Sequence, residues 1–327
     1  MDGQGTDVIR VRSLSKSFGE VKAVCNVEFS VSRGELFGFL GPNGAGKTTT
    51  INMLTGMARP DTGAIRIGGI DCSRNPKAAQ HLMGVVPDES NLYPELSGFE
   101  NLCFCGALYG MRRSDRETRA RELLEYFGLT AAAGRKFASY SKGMKRKLTI
   151  AAGIIHSPEI LFLDEPTSGI DVASARQLRR LIADLNARGT TIFLTTHYIE
   201  EAEKLCSRIA FIVSGRIETI DTVGHLMSGY QDRQIMHFEL SDTDEELCSR
   251  LAGEFPDLDC RVDSERKIHV ESSKTIQVGP IVRFLEDRGV EIYEARKIRP
   301  SLEEVFVKIT GIEAGEMNKE QEKKRKG

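Results

Sequence analysis

Residues 35–48 read Glu35-Leu36-Phe37-Gly38-Phe39-Leu40-Gly41-Pro42-Asn43-Gly44-Ala45-Gly46-Lys47-Thr48, an apolar run that breaks into a glycine-rich loop. Such a run fits a strand buried on both faces of a parallel sheet, and the residues behind the loop, 48–54, are helix-compatible. The unit is strand, loop, helix. Gly41 to Thr48 satisfies G-x-x-x-x-G-K-[ST]. In that pattern Gly41, Gly44 and Gly46, with Asn43 between them, let backbone N–H groups point inward around phosphate oxygens, and the helix N-terminus adds partial positive charge. Lys47 reaches the β and γ phosphates, Thr48 is placed to ligate Mg2+, and Thr49 follows in the same helical turn. The bland alternative, a glycine-rich turn with an exposed lysine, leaves the flanking strand and helix unexplained.

Two more buried strands, 160–163 and 191–194, flank a helical segment at 173–187 that carries Leu178, Leu181, Ile182 and Leu185 on one face. The core is therefore an alternating α/β sheet, with short strands at 9–11 and 23–31 ahead of it. Between residues 100 and 127 the pattern turns helical and charged, with Leu123, Leu124 and Phe127 supplying apolar spacing, so a helical subdomain is expected at about 88–150. After residue 227 the order becomes strand, helix, strand, strand, helix, strand, which predicts a ferredoxin-like α+β domain over 228–311. Ser301 and Glu304 form a capping-box pattern behind Pro300. The last residues, 312–327, are polar, end Lys323-Lys324-Arg325-Lys326 and are expected to be disordered. There is no internal repeat.

Composition narrows the function classes. With 327 residues, 40% hydrophobic and 28% charged, the chain has the make-up of an ordinary folded protein. Its 45 basic and 47 acidic side chains give no positive footprint, so nucleic acid is not expected as a partner. No apolar run is long enough to span a bilayer, and the polar N-terminus lacks the features of a secretory leader, so a cytoplasmic location is expected. Seven cysteines without a CxxC pair read as separate reduced thiols and exclude structural zinc.

Further residues carry chemistry. Asp164 and Glu165 end the apolar strand 160–163, where open α/β sheets place ligand chemistry. A phosphate loop upstream needs a carboxylate to hold Mg2+, which points to Asp164 as metal partner and Glu165 as the residue that orients or deprotonates an attacking water. Tyr140-Ser141-Lys142-Gly143-Met144-Lys145 precedes that strand, and Ser141 taken alone is explained as a helix N-cap. His197 ends the strand at 191–194, and a lone histidine is more often structural than catalytic.

The order and combination of these motifs, from Gly41 to His197, resemble the motif series of ATP-binding cassette (ABC) ATPases over residues 8–223. The resemblance implies a P-loop ABC ATPase core with antiparallel β and helical subdomains. It assigns Phe18, where the family usually has tyrosine, to stacking on adenine. Ser141 and Gly143 match the signature that contacts the γ phosphate of an opposite subunit, so two ATP molecules are expected in a head-to-tail dimer of ATPase subunits. Lys142 and Met144 depart from the commonest Leu-Ser-Gly-Gly-Gln wording. Asp171 matches the dimer-facing aspartate and His197 the γ-phosphate switch. Asp88, in Gly84-Val85-Val86-Pro87-Asp88, replaces the glutamine that links Mg2+ and water to the helical subdomain.

The wording Tyr-Ser-Lys-Gly-Met-Lys, together with Pro300-Ser301-Leu302-Glu303-Glu304-Val305-Phe306, is similar to the branch whose ATPases serve ABC-2-type membrane permeases, as in daunorubicin-resistance-like exporters. The resemblance implies an ATP-hydrolysing subunit, peripheral on the inner face of the membrane, that powers export through a separate permease. A soluble ABC ATPase acting on ribosomes or DNA is the alternative; such proteins usually carry two cassettes or a long coiled coil, and this chain has one cassette and no sustained heptads. A P-loop kinase or GTPase would leave Ser141, Gly143 and His197 without a role.

Overall fold

The computed structural model describes residues 7–231, 234–264, 266–298 and 301–312. Pro300 and the tail from residue 313 lie outside the described residues. The chain divides into two compact units, one running to Thr222 and including the chain from Ile309, the other Val223–Lys308.

The first unit opens with two long antiparallel strands, β1 (Asp7–Phe18) and β2 (Val21–Ser32). β3 (Leu36–Leu40) is buried at every position, as its apolar run requires. After the glycine-rich loop come α1 (Lys47–Leu54), β4 (Thr62–Ile67) and β5 (Ile70–Asp71), and the first sheet has the order β2-β1-β4-β5. α2 (Pro76–His81) then leads to β6 (Met83–Val86). Residues 84–86, to which the sequence assigned no element, are thus part of a strand. Their signal is weak because Gly84 interrupts it, and a side chain there would sit 2.1 Å from the Gly153 carbonyl oxygen.

The helical segment is α3 (Gly98–Leu108), α4 (Arg113–Tyr126) and α5 (Lys142–Gly153). Ser97 and Glu100 form a reciprocal capping box on α3, and Leu123, Leu124 and Phe127 are buried as their spacing predicts. β7 (Ile160–Asp164), α6 (Val172–Ala187), β8 (Thr191–Thr196), α7 (Ile199–Leu205), β9 (Arg208–Val213) and β10 (Arg216–Thr222) complete the unit. The second sheet has the order β10-β9-β3-β8-β7-β6, parallel except for β10. This order brings distant residues together. β8 lies between β3 and β7, with Thr196 opposite Leu40 and Thr195 opposite Asp164, so three C-terminal strand ends meet.

The second unit runs α8 (Val223–Gln231), β11 (Gln234–Leu240), α9 (Glu245–Glu254), β12 (Asp259–Ser264), β13 (Lys267–Ser272), α10 (Val278–Glu286), β14 (Ile292–Ile298) and most of α11 (Leu302–Thr310). Its antiparallel sheet has the order β12-β13-β11-β14, the ferredoxin-like arrangement. One cysteine expectation is corrected here: Cys248 on α9 and Cys260 on β12 are joined as a disulfide, their Cα atoms 5.2 Å apart. The pairing depends on how α9 packs on β12, which residue spacing does not reveal.

Phe193 of β8 binds the first unit together. Its ring lies 5.5 to 5.8 Å from those of Phe29, Phe37, Phe39 and Phe162, contributed by β2, β3 and β7. Phe193→Ala is expected to destabilise the protein by about 3–5 kcal/mol, and Phe193→Leu by less, in urea unfolding followed by circular dichroism.

Candidate active site

The loop from Gly41 to Gly46 is shaped by what its glycines lack. A side chain at Gly41 would lie 2.1 Å from the Ile212 carbonyl oxygen, and one at Gly46 would lie 2.4 Å from that of Ala23. Gly44 and Gly46 also have φ of +79° and +102°, a region that other residues adopt only with strain. Gly46 is the N-cap of α1 and supplies no side-chain cap, and no acidic residue lies in the first turn. The leading N–H groups of α1 therefore face outward as uncapped donors, which is an anion-binding geometry.

Lys47 is only 4% exposed and folds back over this loop. Its ammonium donates to the carbonyl oxygens of Gly41 (2.8 Å) and Pro42 (3.0 Å) and pairs with Glu165 Oε1 at 3.2 Å. The other oxygen of Glu165, Oε2, lies 2.8 Å from His197 Nδ1. An ionised carboxylate only accepts, so Nδ1 carries the proton. Burial pushes the Glu165 carboxyl up, but the His197 hydrogen bond and the Lys47 charge outweigh it and hold the carboxyl below its ordinary value. Asp164, also buried, accepts from the Thr195 hydroxyl across the β7–β8 ladder. Lys47, Glu165 and His197 are thus joined in one chain of contacts, with Asp164 beside them at the end of β7.

Asp88 is exposed, and among the described residues its carboxylate makes no hydrogen bond to this cluster, yet the cluster's field reaches it. Desolvation and the charges of Glu165 and Asp164 raise its carboxyl from the usual range, against the pull of Arg146. Arg146 itself was not legible in the sequence. It lies on α5, is 6% exposed, and donates to four backbone carbonyls, those of Pro87, Asp88, Asp164 and Pro166. Thr195 was missed for a similar reason, because its partner is a strand neighbour rather than a motif residue.

Ser141 and Asp171 stand apart from this cluster. Ser141 is the N-cap of α5, its hydroxyl accepting from Met144 N at 3.3 Å, and Asp171 is the N-cap of α6, accepting from Ser174 N at 2.9 Å. Gly143 abuts the same turn of α6: a side chain there would lie 2.5 Å from Ser174 Oγ. No hydrogen bond or ion pair joins Ser141 to Lys47 or Glu165 among the described residues. Phe18 is 55% exposed, with the Lys16 ammonium 5.3 Å from its ring centre, so it is not a core residue. Thr48 is exposed in the first turn of α1 and Thr49 half-buried beside it, while Asn43 lies half-buried in the loop.

The Thr195 hydroxyl is expected to matter in proportion to the burial of Asp164. Thr195→Val, which keeps the shape and removes the donor, should destabilise the protein by about 1–3 kcal/mol in urea unfolding, and Thr195→Ser should restore most of the loss.

The ABC transporter family model matches residues 24–168. The chain is 34% identical over 311 residues to a linearmycin resistance ATP-binding protein of Bacillus subtilis (strain 168), covering 93% of this chain and 98% of that protein. It is 36% identical over 318 residues to a daunorubicin resistance ATP-binding protein of Streptomyces coeruleorubidus, covering 95% and 96%. Among solved structures, the ATP-binding subunit of an ABC transporter superposes with a TM-score of 0.62 at 30% identity, over 68% of this chain and 93% of that one. A dimeric ATP-binding cassette in a post-hydrolysis state with ADP and Pi gives a TM-score of 0.61 at 26% identity, over 66% and 98%. A strand-ended phosphate cradle, a buried lysine and carboxylate cluster, and similarity along nearly the whole chain agree: the chain belongs to the ABC transporter family, as an ATP-binding subunit that hydrolyses ATP.

Proposed function

We propose that this subunit powers export through a separate ABC-2-type permease, with two copies closing head to tail around two ATP molecules. The observation that carries the catalytic part is the chain Lys47, Glu165, His197, hydrogen-bonded at the mouth of the glycine loop. In this reading the chain comprises a nucleotide-binding domain, 1–227, with a helical subdomain at about 88–150, and an accessory domain at 228–311. The resistance-protein relatives support export over action on ribosomes or DNA.

Phosphate oxygens entering the cradle compete for the Lys47 ammonium with Glu165. Once Lys47 turns to phosphate, Glu165 loses a charge that holds its carboxyl low and becomes a stronger base for water. His197 Nε2 is buried and has no hydrogen-bond partner among the described residues. With Nδ1 committed to Glu165, Nε2 is the ring nitrogen left to face the γ phosphate. Phe18 offers an exposed face for adenine. The hydroxyl of Thr48 and the carboxylate of Asp164 are hard oxygen donors that fit Mg2+, with Asp88 as a further candidate. Among the described residues no three His, Cys, Asp or Glu side chains form a metal-binding group by themselves, so phosphate and water oxygens would complete the shell. Mg2+ bound there would neutralise phosphate charge.

No described helix is long and apolar enough to cross a membrane, so transport by this subunit requires a membrane partner. On the helical segment Tyr93, Phe104 and Leu108 are 53%, 37% and 70% exposed, and the first two rings touch edge to face at 5.0 Å. Such a patch, close in sequence to Asp88, suits a docking partner. A permease at that patch would place this subunit on the inner face of the membrane.

Glu165→Gln is expected to lower turnover by roughly 10^2 to 10^4 while sparing ATP binding, whereas Lys47→Ala should lose nucleotide binding. Steady-state ATPase assays and nucleotide titrations separate the two, and unchanged turnover in Glu165→Gln overturns its role. The dimer has its own check. Mixing Lys47→Ala chains with Ser141→Ala chains creates one doubly defective and one intact site per heterodimer, so part of the activity should return. No recovery, with subunit exchange confirmed, excludes the sandwich.

A further inference from the structure

The Arg146 guanidinium is buried where three stretches of chain meet, and none of its hydrogen-bond partners is a carboxylate. Nε donates to the Pro166 carbonyl at 2.8 Å, Nη2 to that of Asp164 at 2.5 Å, and Nη1 to that of Asp88 at 2.9 Å and to that of Pro87. Two of these acceptors, Asp164 and Pro166, flank Glu165, whose φ of +46° lies in the left-handed region that residues with side chains avoid. The backbone N–H of Glu165 is held by the Thr195 carbonyl at 3.0 Å. Glu165 is therefore held on both sides of a strained turn, and Arg146 provides one side of the hold.

The other end of the connection is α5. Arg146 lies a little over one turn from its N-cap Ser141, so the two move with one rigid helix. The remaining two bonds reach Pro87 and Asp88, at the entry to the helical segment. One planar fork thus joins the signature helix, the Asp88 loop and the backbone of the catalytic glutamate.

We propose that Arg146 is a positioning residue that converts the docking of Ser141 on nucleotide into the placement of Glu165 and of the Asp88 loop. The inference rests on the sandwich-dimer reading given above. A guanidinium is suited to the task because its donors lie in one rigid plane, whereas a lysine ammonium is a single point that cannot reach four carbonyls on two segments at once. Arg146 touches no reacting atom; its effect passes through Glu165 and Asp88.

The experiment uses the full chain with Arg146→Lys and with Arg146→Gln, which retains a planar donor, each checked by circular dichroism and light scattering. ATP affinity, measured with a fluorescent ATP analogue, should change by less than about threefold because the Lys47 cradle is untouched. Turnover per bound nucleotide should fall at least tenfold for Arg146→Lys and less for Arg146→Gln, with KM nearly unchanged. Combined with Ser141→Ala, Arg146→Lys should add little to the loss that the worse single change causes, because both act along one path. Multiplicative losses in that double variant, or turnover per site equal to wild type, overturn the proposal, as does a loss that merely tracks the fraction of unfolded protein. The dimer is read separately in a Glu165→Gln background, where ATP should still drive dimerisation with Arg146→Lys present. If Glu165→Gln alone stays monomeric with ATP, the sandwich reading fails. If it dimerises and the double variant with Ser141→Ala is multiplicative, only the coupling role fails.

Discussion

Lys47 and Glu165 are buried together where parallel strands end, and either charge alone there would be costly to keep out of water. Much of the first unit serves that pairing. β8 must run between β3 and β7 so that the lysine behind one strand faces the glutamate behind the other. The loop must turn tightly enough for the ammonium to reach its carbonyls, and it packs so closely on the carbonyls of Ile212 and Ala23 that Gly41 and Gly46 tolerate no side chain. In the proposed function the same pair sets the chemistry, because the ammonium that stabilises the resting carboxylate is also a ligand suited to phosphate. In that function, a phosphate that draws the ammonium away from Glu165 alters both the contacts of Lys47 and the basicity of Glu165.

A pair so placed demands an unusual backbone. Glu165 follows directly on a strand whose side chains alternate between faces, and reaching Lys47 and His197 together puts it in a left-handed conformation. Such a conformation costs on the order of 1–3 kcal/mol and persists only where surrounding bonds over-determine it. Here those bonds come from β8 through Thr195 and from α5 through Arg146. The Arg146 guanidinium is drawn below its ordinary affinity for protons by burial, while the carboxylates of Asp88, Asp164, Glu201 and Glu165 favour its charged form. A positive charge among several negative ones also moderates their mutual repulsion.

How much of this could be read from the chain depended on where the information lies. β3, β7 and β8 were legible because strands buried on both faces must be apolar throughout, and 35–40, 160–163 and 191–194 carry no competing signal. Gly41 to Thr48 was legible because phosphate binding is built from consecutive residues. β4, β5 and β6 were not, being short, polar or interrupted by glycine, with pairing supplied by distant strands. Arg146 was invisible because its four acceptors are main-chain carbonyls, which every residue possesses. The Cys248 and Cys260 pairing was hidden by the same kind of tertiary contact. Phe18 needed the fold to show that its ring is exposed rather than packed.

Ser141 and Asp171 each have a structural role that leaves room for the role proposed for them. Both cap helices, and that alone explains a serine and an aspartate at these positions. Capping uses the two groups differently, however. The Ser141 hydroxyl accepts from Met144 N through a lone pair, and its own proton is uncommitted among the described residues, so it can cap α5 and still donate to a phosphate oxygen. The Asp171 carboxylate is kept below its ordinary value by its bonds to Ser174 and can only accept. In a sandwich of two chains, Ser141 is therefore matched to the anionic nucleotide and Asp171 to an N–H or O–H group of the facing subunit. The tight approach of Gly143 to Ser174 sets both on neighbouring helix ends, so one interface meets both demands at once.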